Sequence, residues 1–229
     1  MIGSGVAVHV LAHREPVEAE DVAHLAQCLD SDENARHFYF QRDRNAFVLA
    51  HAFLRQVLSR YAPVAPESWH FARGPWGKPR VAPAFGTELS FNLSHTKGCI
   101  ACAVTCGREV GIDVERLDPT GELADLARRF FAPVEVASLT ALPDAQQSRR
   151  FYELWTLKEA YLKARGLGLS LPVDRIAFTV GAGKPTMATA AGLDDAEWQF
   201  EQFAPTGEHL VAVAVPGREI SVWKVLETG

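Results

Sequence analysis

A short apolar strand and a long apolar helix in this chain each carry charges that neither could bury alone. No other feature constrains the fold as much. The strand is Gly111-Ile112-Asp113-Val114-Glu115. Side chains alternate along a strand, so its two carboxylates point to the same side. The helix contains Trp155-Thr156-Leu157-Lys158-Glu159-Ala160-Tyr161-Leu162-Lys163. There Trp155, Glu159 and Lys163 recur at i, i+4 and i+8 and line one face. Packing the strand on the helix brings three carboxylates beside a lysine. Such an oxygen-rich arrangement suits Mg²⁺ and a phosphate-bearing substrate. Taken singly, each motif also has an ordinary reading. Asp113 and Glu115 could be solvated acids at a strand end. Glu159 and Lys163 could be a surface ion pair of little energetic weight. The apolar bulk of Trp155, Leu157, Tyr161 and Leu162 argues instead for a mostly buried helix whose charges have a purpose.

The 229 residues, 48% apolar and 22% charged, suit one large domain or two small lobes of ordinary globular composition. A net charge of −5 argues against a general nucleic-acid binder. No run of about eighteen apolar residues offers a membrane span, and residues 1–11 read as a first strand, not a signal peptide. Cys99 and Cys102 form a C-x-x-C, but they lie in an apolar, strand-like run without further metal ligands. All four cysteines, with Cys28 and Cys106, read as reduced thiols of a cytoplasmic protein.

Apolar periodicity predicts strands at 6–12, 69–72, 89–93, 99–104, 111–115, 174–180, 197–203, 209–215 and 219–226. It predicts helices over 17–29, 43–61, 121–131, 133–142 and 147–165, the last stopped by Gly166 and Gly168. Asp30-Ser31-Asp32-Glu33 reads as a capping segment. Residues 73–79 read as a rigid Gly/Pro loop, 94–98 as a turn and 181–192 as a mobile loop. Strands and helices mix without steady βαβ alternation, which predicts an α+β fold. The clearest division falls near residue 107. It gives halves 1–107 and 108–229 with no flexible linker between them, so the halves should pack intimately.

Two further motifs could hold phosphate. Lys78 and Pro79 sit in Gly77-Lys78-Pro79 with Arg73 upstream, where a rigid turn could aim the ammonium, although a lone turn lysine is commonly just solvated. Neither a P-loop nor a dinucleotide fingerprint is present. In Phe91-Asn92-Leu93-Ser94-His95-Thr96, His95 follows a strand and could donate to a phosphate oxygen. Adjacent Ser94 and His95 would point in different directions, and there is no G-x-S-x-G elbow, which argues against a serine hydrolase.

In their joint order these motifs resemble the 4′-phosphopantetheinyl transferase superfamily, in its surfactin-synthetase-activating, Sfp-like type. The resemblance rests on GKP at 77–79, FNLSH at 91–95, GIDVE at 111–115, RFFAPVE at 129–135 and WTLKEAYLK at 155–163. It extends to the helix-like 38–58 and the loop 166–171. It implies a pseudo-dimer of two similar α+β halves around a cleft, acting as a monomer. It implies transfer of the 4′-phosphopantetheine arm of coenzyme A to a serine of apo acyl or peptidyl carrier proteins, with 3′,5′-ADP released. Asp113, Glu115 and Glu159 are then the ligands of Mg²⁺, with Mn²⁺ as an alternative. Glu159, directly or through a metal-bound water, removes the serine proton, and Lys163 steadies the leaving phosphate. Lys78, Ser94 and His95 fall on the coenzyme A phosphates, Lys158 on a second phosphate contact, and Arg42 and Arg73 on the nucleotide. The family's usual lysines near residues 28–34 are missing, so Arg36, Arg42 and Arg44 compete for the 3′-phosphate. Glu135 matches a further acid near the site. Residues 116–146 are the expected carrier-docking surface. A non-catalytic coenzyme A-binding module and a metal-dependent pyrophosphatase are the rival readings.

Overall fold

A computed structural model describes residues 5–74, 76–118, 123–168, 171–189, 197–217 and 221–228. Strand β1 (Val6–Ala12) is followed by helix α1 (Ala19–Leu25), the one-turn α2 (Ser31–Asn34) and the long α3 (Gln41–Ser59). A hairpin of β2 (Phe71–Arg73) and β3 (Pro79–Val81) leads to β4 (Leu89–Thr96) and β5 (Cys99–Cys106). The second half repeats this plan. Strand β6 (Gly111–Arg116) is followed by α4 (Leu123–Phe130), α5 (Pro133–Thr140) and the long α6 (Asp144–Arg165). The hairpin β7 (Ile176–Thr179) and β8 (Thr186–Thr189) then leads to β9 (Trp198–Thr206) and β10 (His209–Pro216). The strand orders correspond, β1-β5-β4 against β6-β10-β9. The fold is therefore α+β, with two halves of the same topology.

Alternation along the strands sets the layers. Val6, Val8, Val10, Ala101 and Ala103 of the first sheet meet Ile112, Val114, Val211, Val213 and Val215 of the second. The opposite faces hold the helices. Ala7, Ile100, Cys102 and Val104 pack on Phe53, Leu54, Val57 and Leu58 of α3. Ala212 and Ala214 pack on Leu157, Ala160, Tyr161 and Ala164 of α6. The order is helix, sheet, sheet, helix. Cys99 and Cys102 fall on opposite faces of β5, and all four cysteines are free thiols.

The two sheets also meet edge to edge. The Ile112 amide donates to Asn92 Oδ1 at 2.8 Å and the Val114 amide to Ser94 Oγ at 3.3 Å. Side chains of β4 thus take the place of a backbone ladder and satisfy buried N–H groups of β6. This fixes the register between the halves.

Four expectations change. The last strand, β11 (Val222–Thr228), pairs in parallel with β1, from Val6 opposite Val222 to Ala12 opposite Thr228. A boundary at residue 107 therefore does not divide the chain cleanly, because its last strand belongs to the first half's sheet. Glu227 fastens that strand to the α3 end with bonds of 2.7 and 2.8 Å from Arg60. Strand β4 continues through Ser94, His95 and Thr96, which narrows the expected turn to Lys97-Gly98, with Gly98 at φ 80°. Residues 73–79 close a β2–β3 hairpin, with Pro75 outside the described residues. Residues 186–189 of the expected mobile loop form β8; 190–192 lie outside the described residues. No helix among the described residues is long and apolar enough to cross a membrane.

Candidate active site

Strand β6 presents Gly111, Asp113 and Glu115 toward α6. Gly111 is there because the helix backbone comes close, and a Cβ on it would lie 1.9 Å from the Ala160 carbonyl oxygen. That approach puts the strand's acids against the Trp155–Glu159–Lys163 face of the helix. Asp113 is buried, at 3% exposure. Its Oδ1 accepts from Lys163 Nζ at 2.5 Å and from Ser94 Oγ at 3.1 Å. Lys163 also donates to Ser94 Oγ at 3.0 Å. Glu115 Oε1 accepts from Trp155 Nε1 at 3.3 Å.

The electrostatics are those of acids crowded together. Burial, with the Asp113 charge and to a lesser degree Glu159, pushes Glu115 up to about 7, against the Trp155 hydrogen bond and Lys163. Burial and Asp113 likewise raise Glu159, against Lys163. Asp113 Oδ2 is buried with no hydrogen-bond partner. Such an orphan is costly unless a cation meets it. Among the described residues no three His, Cys, Asp or Glu side chains are drawn together as a ready-made metal cage. Lys163 serves as the positive partner of Asp113 instead. The all-oxygen donor set and the orphaned Oδ2 fit a hard divalent cation.

Two clefts adjoin these residues and share Pro79, Asn92 and Leu93 as a wall. One, about 310 Å³, reaches from Trp76 and Gly166 to Glu159 and Lys163. The other, about 410 Å³, is lined by Arg36, His51, Arg73 and His95, with Asp30 and Glu33. His95 keeps solvent exposure. Even so, its enclosure lowers its pKa, and the charges of His51, Lys163 and His13 lower it further. His95 lines the second cleft and is near enough to Lys163 for that charge to act on it. A roomier cleft of about 450 Å³ between α4, α5 and the start of α6 contains none of these acids.

The structure brings Asp113, Glu115, Glu159, Lys163 and Ser94 together, with Arg73, Pro79 and His95 along the clefts. Three expected contacts are corrected. Lys158 lies on the far side of α6, 1% exposed, paired with Glu135 at 2.7 Å and donating to the carbonyls of Val173 and Ile176. It has no route to a phosphate. Glu135 is equally structural, because it also accepts from the amides of Ala132 and Phe178, each at 2.8 Å. The Lys78 ammonium already meets Glu109 at 2.7 Å and the carbonyls of Val110 and Ala164 at 3.1 Å, which uses its three donors. It staples the β3 hairpin to the end of α6. Arg42 projects into solvent, 78% exposed, over Phe40 and beside Asp43. Arg36 occupies the cleft instead, its guanidinium over Phe47. Sequence reasoning missed His51. Its signal was a polar residue on the apolar face of α3, four residues after Phe47.

The sequence model of the 4′-phosphopantetheinyl transferase superfamily matches residues 109–214, and that of the 4′-phosphopantetheinyl transferase N-terminal region matches residues 15–106. The 4′-phosphopantetheinyl transferase HetI of Nostoc sp. (strain PCC 7120) is 39% identical over 196 residues, 84% of this chain and 81% of HetI. The chain belongs to the 4′-phosphopantetheinyl transferase superfamily. This transferase is also 33% identical to Sfp of Bacillus subtilis (strain 168) over 142 residues, 62% of this chain and 61% of Sfp. The Sfp-like resemblance of its motifs is thereby borne out. A solved holo-(acyl-carrier-protein) synthase of Bacillus anthracis, in complex with CoA (3′,5′-ADP), is 23% identical with a TM-score of 0.41. That match covers 49% of the transferase and 96% of the synthase.

Proposed function

We propose that this transferase moves the 4′-phosphopantetheine arm of coenzyme A to a serine hydroxyl of an apo acyl or peptidyl carrier protein, as a cytoplasmic monomer. The observation that carries the proposal is the convergence of Asp113, Glu115, Glu159 and Lys163 beside a cleft lined by Arg36, Arg73 and His95.

Asp113, Glu115 and Glu159 would hold Mg²⁺, which neutralises charge on a pyrophosphate. The chain's own groups do the rest. Arg73 and His95 bind phosphate oxygens and fix the coenzyme's orientation. Glu159 accepts the proton of the carrier serine, and its raised pKa makes it a better base near neutral pH. The serine oxygen bonds to the phosphorus bearing the pantetheine arm. The bond from that phosphorus to the bridging oxygen breaks, and 3′,5′-ADP leaves with the electron pair. Lys163 stands ready to steady the charge it carries away.

Incubation with coenzyme A, Mg²⁺ and an apo carrier protein tests this by mass spectrometry. The carrier should gain roughly 340 Da, the mass of the arm now bonded to its serine oxygen. Coenzyme A binding with no mass gain across a panel of apo carriers would mean a binding module. Phosphate release without any carrier would mean a pyrophosphatase.

A further inference from the structure

One residue of the first half reaches the acids without lining either cleft beside them. Ser94 is buried on β4, and neither of the two clefts that adjoin the acids has it in its wall. His95 faces the second cleft, and alternation along the strand turns Ser94 to the other side, onto β6. A serine hydroxyl has one hydrogen to donate and two lone pairs to accept with. Here all three are used. Ser94 Oγ donates to Asp113 Oδ1 at 3.1 Å, and it accepts from Lys163 Nζ at 3.0 Å and from the Val114 amide at 3.3 Å. No hydrogen is left for a phosphate oxygen.

The bonds to Asp113 are also one-sided. Oδ1 takes both Ser94 and Lys163, while Oδ2 is buried without a partner. A carboxylate turns easily about its last bond, since that torsion is broad and roughly two-fold. Two donors on one oxygen remove that freedom. Ser94 Oγ, Asp113 Oδ1 and Lys163 Nζ form a closed triangle with sides of 3.1, 2.5 and 3.0 Å. No member can turn without losing two contacts. Ser94 is itself fixed in the first half's sheet, opposite Ala101 of β5. The two acidic-site residues it touches, on β6 and α6, belong to the second half.

We propose that Ser94 is a positioning residue for the metal site: its hydroxyl fixes Asp113 with Oδ2 left for the cation and holds Lys163 beside it, in place of the phosphate contact expected from sequence. This rests on the transferase reading above. Asp113 is then oriented by a donor from the other half, so the metal site is complete only when the two halves are in register.

Two measurements on wild type, Ser94→Ala, Ser94→Thr and Asn92→Ala test this. The first is the melting temperature as Mg²⁺ is added to chelator-treated protein, which needs neither coenzyme A nor carrier. Ser94→Ala should raise the Mg²⁺ concentration at the midpoint of the shift about 10-fold or more, the usual effect of removing a hydrogen bond behind a metal ligand. Ser94→Thr keeps the hydroxyl and should stay near the wild-type midpoint. Asn92→Ala breaks the neighbouring bond to the Ile112 amide. It should lower the melting temperature without moving the Mg²⁺ midpoint. Should Ser94→Ala not fold, Ser94→Cys, a much weaker donor, takes its place. The second measurement is transfer kinetics at saturating Mg²⁺. Ser94→Ala should lower kcat about 10-fold or more as Asp113 and Lys163 lose their alignment, with KM for coenzyme A little changed. A raised KM at unchanged kcat would put the hydroxyl on a phosphate and overturn the proposal. So would an unmoved Mg²⁺ midpoint in Ser94→Ala, or one moved equally by Asn92→Ala. Absence of transfer by the wild type, with the Mg²⁺ midpoints still separated as above, would sink the transferase reading and support the role of Ser94 at the metal.

Discussion

Lys158 and Glu159 are consecutive, yet their side chains leave α6 on different faces. Lys158 is sealed against Glu135 at 2.7 Å, and Glu159 faces Asp113 and Lys163. One helical step, about 100°, separates a structural ion pair from the candidate base. Substitutions at the two positions should therefore fail in different ways.

Lys158→Met removes one member of a fully buried pair and leaves Glu135 uncompensated. It should cost about 3–5 kcal/mol, read as a lowered urea midpoint. The fraction that still folds should transfer the arm at near-wild-type kcat.

Glu159→Gln should lower kcat by about 10²–10⁴-fold, the usual worth of a general base. Its melting temperature should hold or rise, because the ionised carboxylate is disfavoured beside Asp113. Activity near the wild-type rate would remove Glu159 from the role.

The crowded acids predict a pH dependence without metal. Burial and the Asp113 charge push Glu115 up to about 7 in the folded protein, from 4.5 for an unperturbed glutamate. A raised carboxyl pKa means that the folded state binds the proton more tightly. No penalty exists below about 4.5, and it grows as pH rises until about 7. For Glu115 it is on the order of 3 kcal/mol. Melting temperatures measured in chelator should fall over that range, and Mg²⁺ should restore them on the alkaline side. A flat profile in chelator would contradict the crowding.

Gly111→Ala places a methyl group 1.9 Å from the Ala160 carbonyl oxygen. Backbone cannot yield as a flexible side chain does, so α6 must move off β6. We expect a loss of about 1–3 kcal/mol or more, together with reduced transfer, since Asp113 and Glu159 part. Thermal unfolding and transfer rate should fall together.

Much of this arrangement was legible in the chain. Asp113, Glu115, Glu159 and Lys163 could be paired from alternation and helical spacing, because each lies on a regular element whose period fixes direction. The helix over 43–61 was readable from its apolar stripe and appears as Gln41–Ser59. The failures share a cause: partners distant in sequence. Nothing near Lys158 announces Glu135. Nothing near Lys78 announces Glu109 or the Ala164 carbonyl. Arg36 and Arg42 look equivalent until the fold turns one into the cleft and leaves the other in water. The placement of Val222–Thr228 beside β1 is a contact between the two extremes of the chain, which local periodicity cannot see.

That last pairing has a consequence during synthesis. Until residues 222–228 leave the ribosome, β1 presents a bare edge with Val6, Val8 and Val10 beside it. Without that strand the first half's sheet is one strand short. An open edge of that kind can pair with the edge of another molecule, and the docking of Val222–Thr228 closes it.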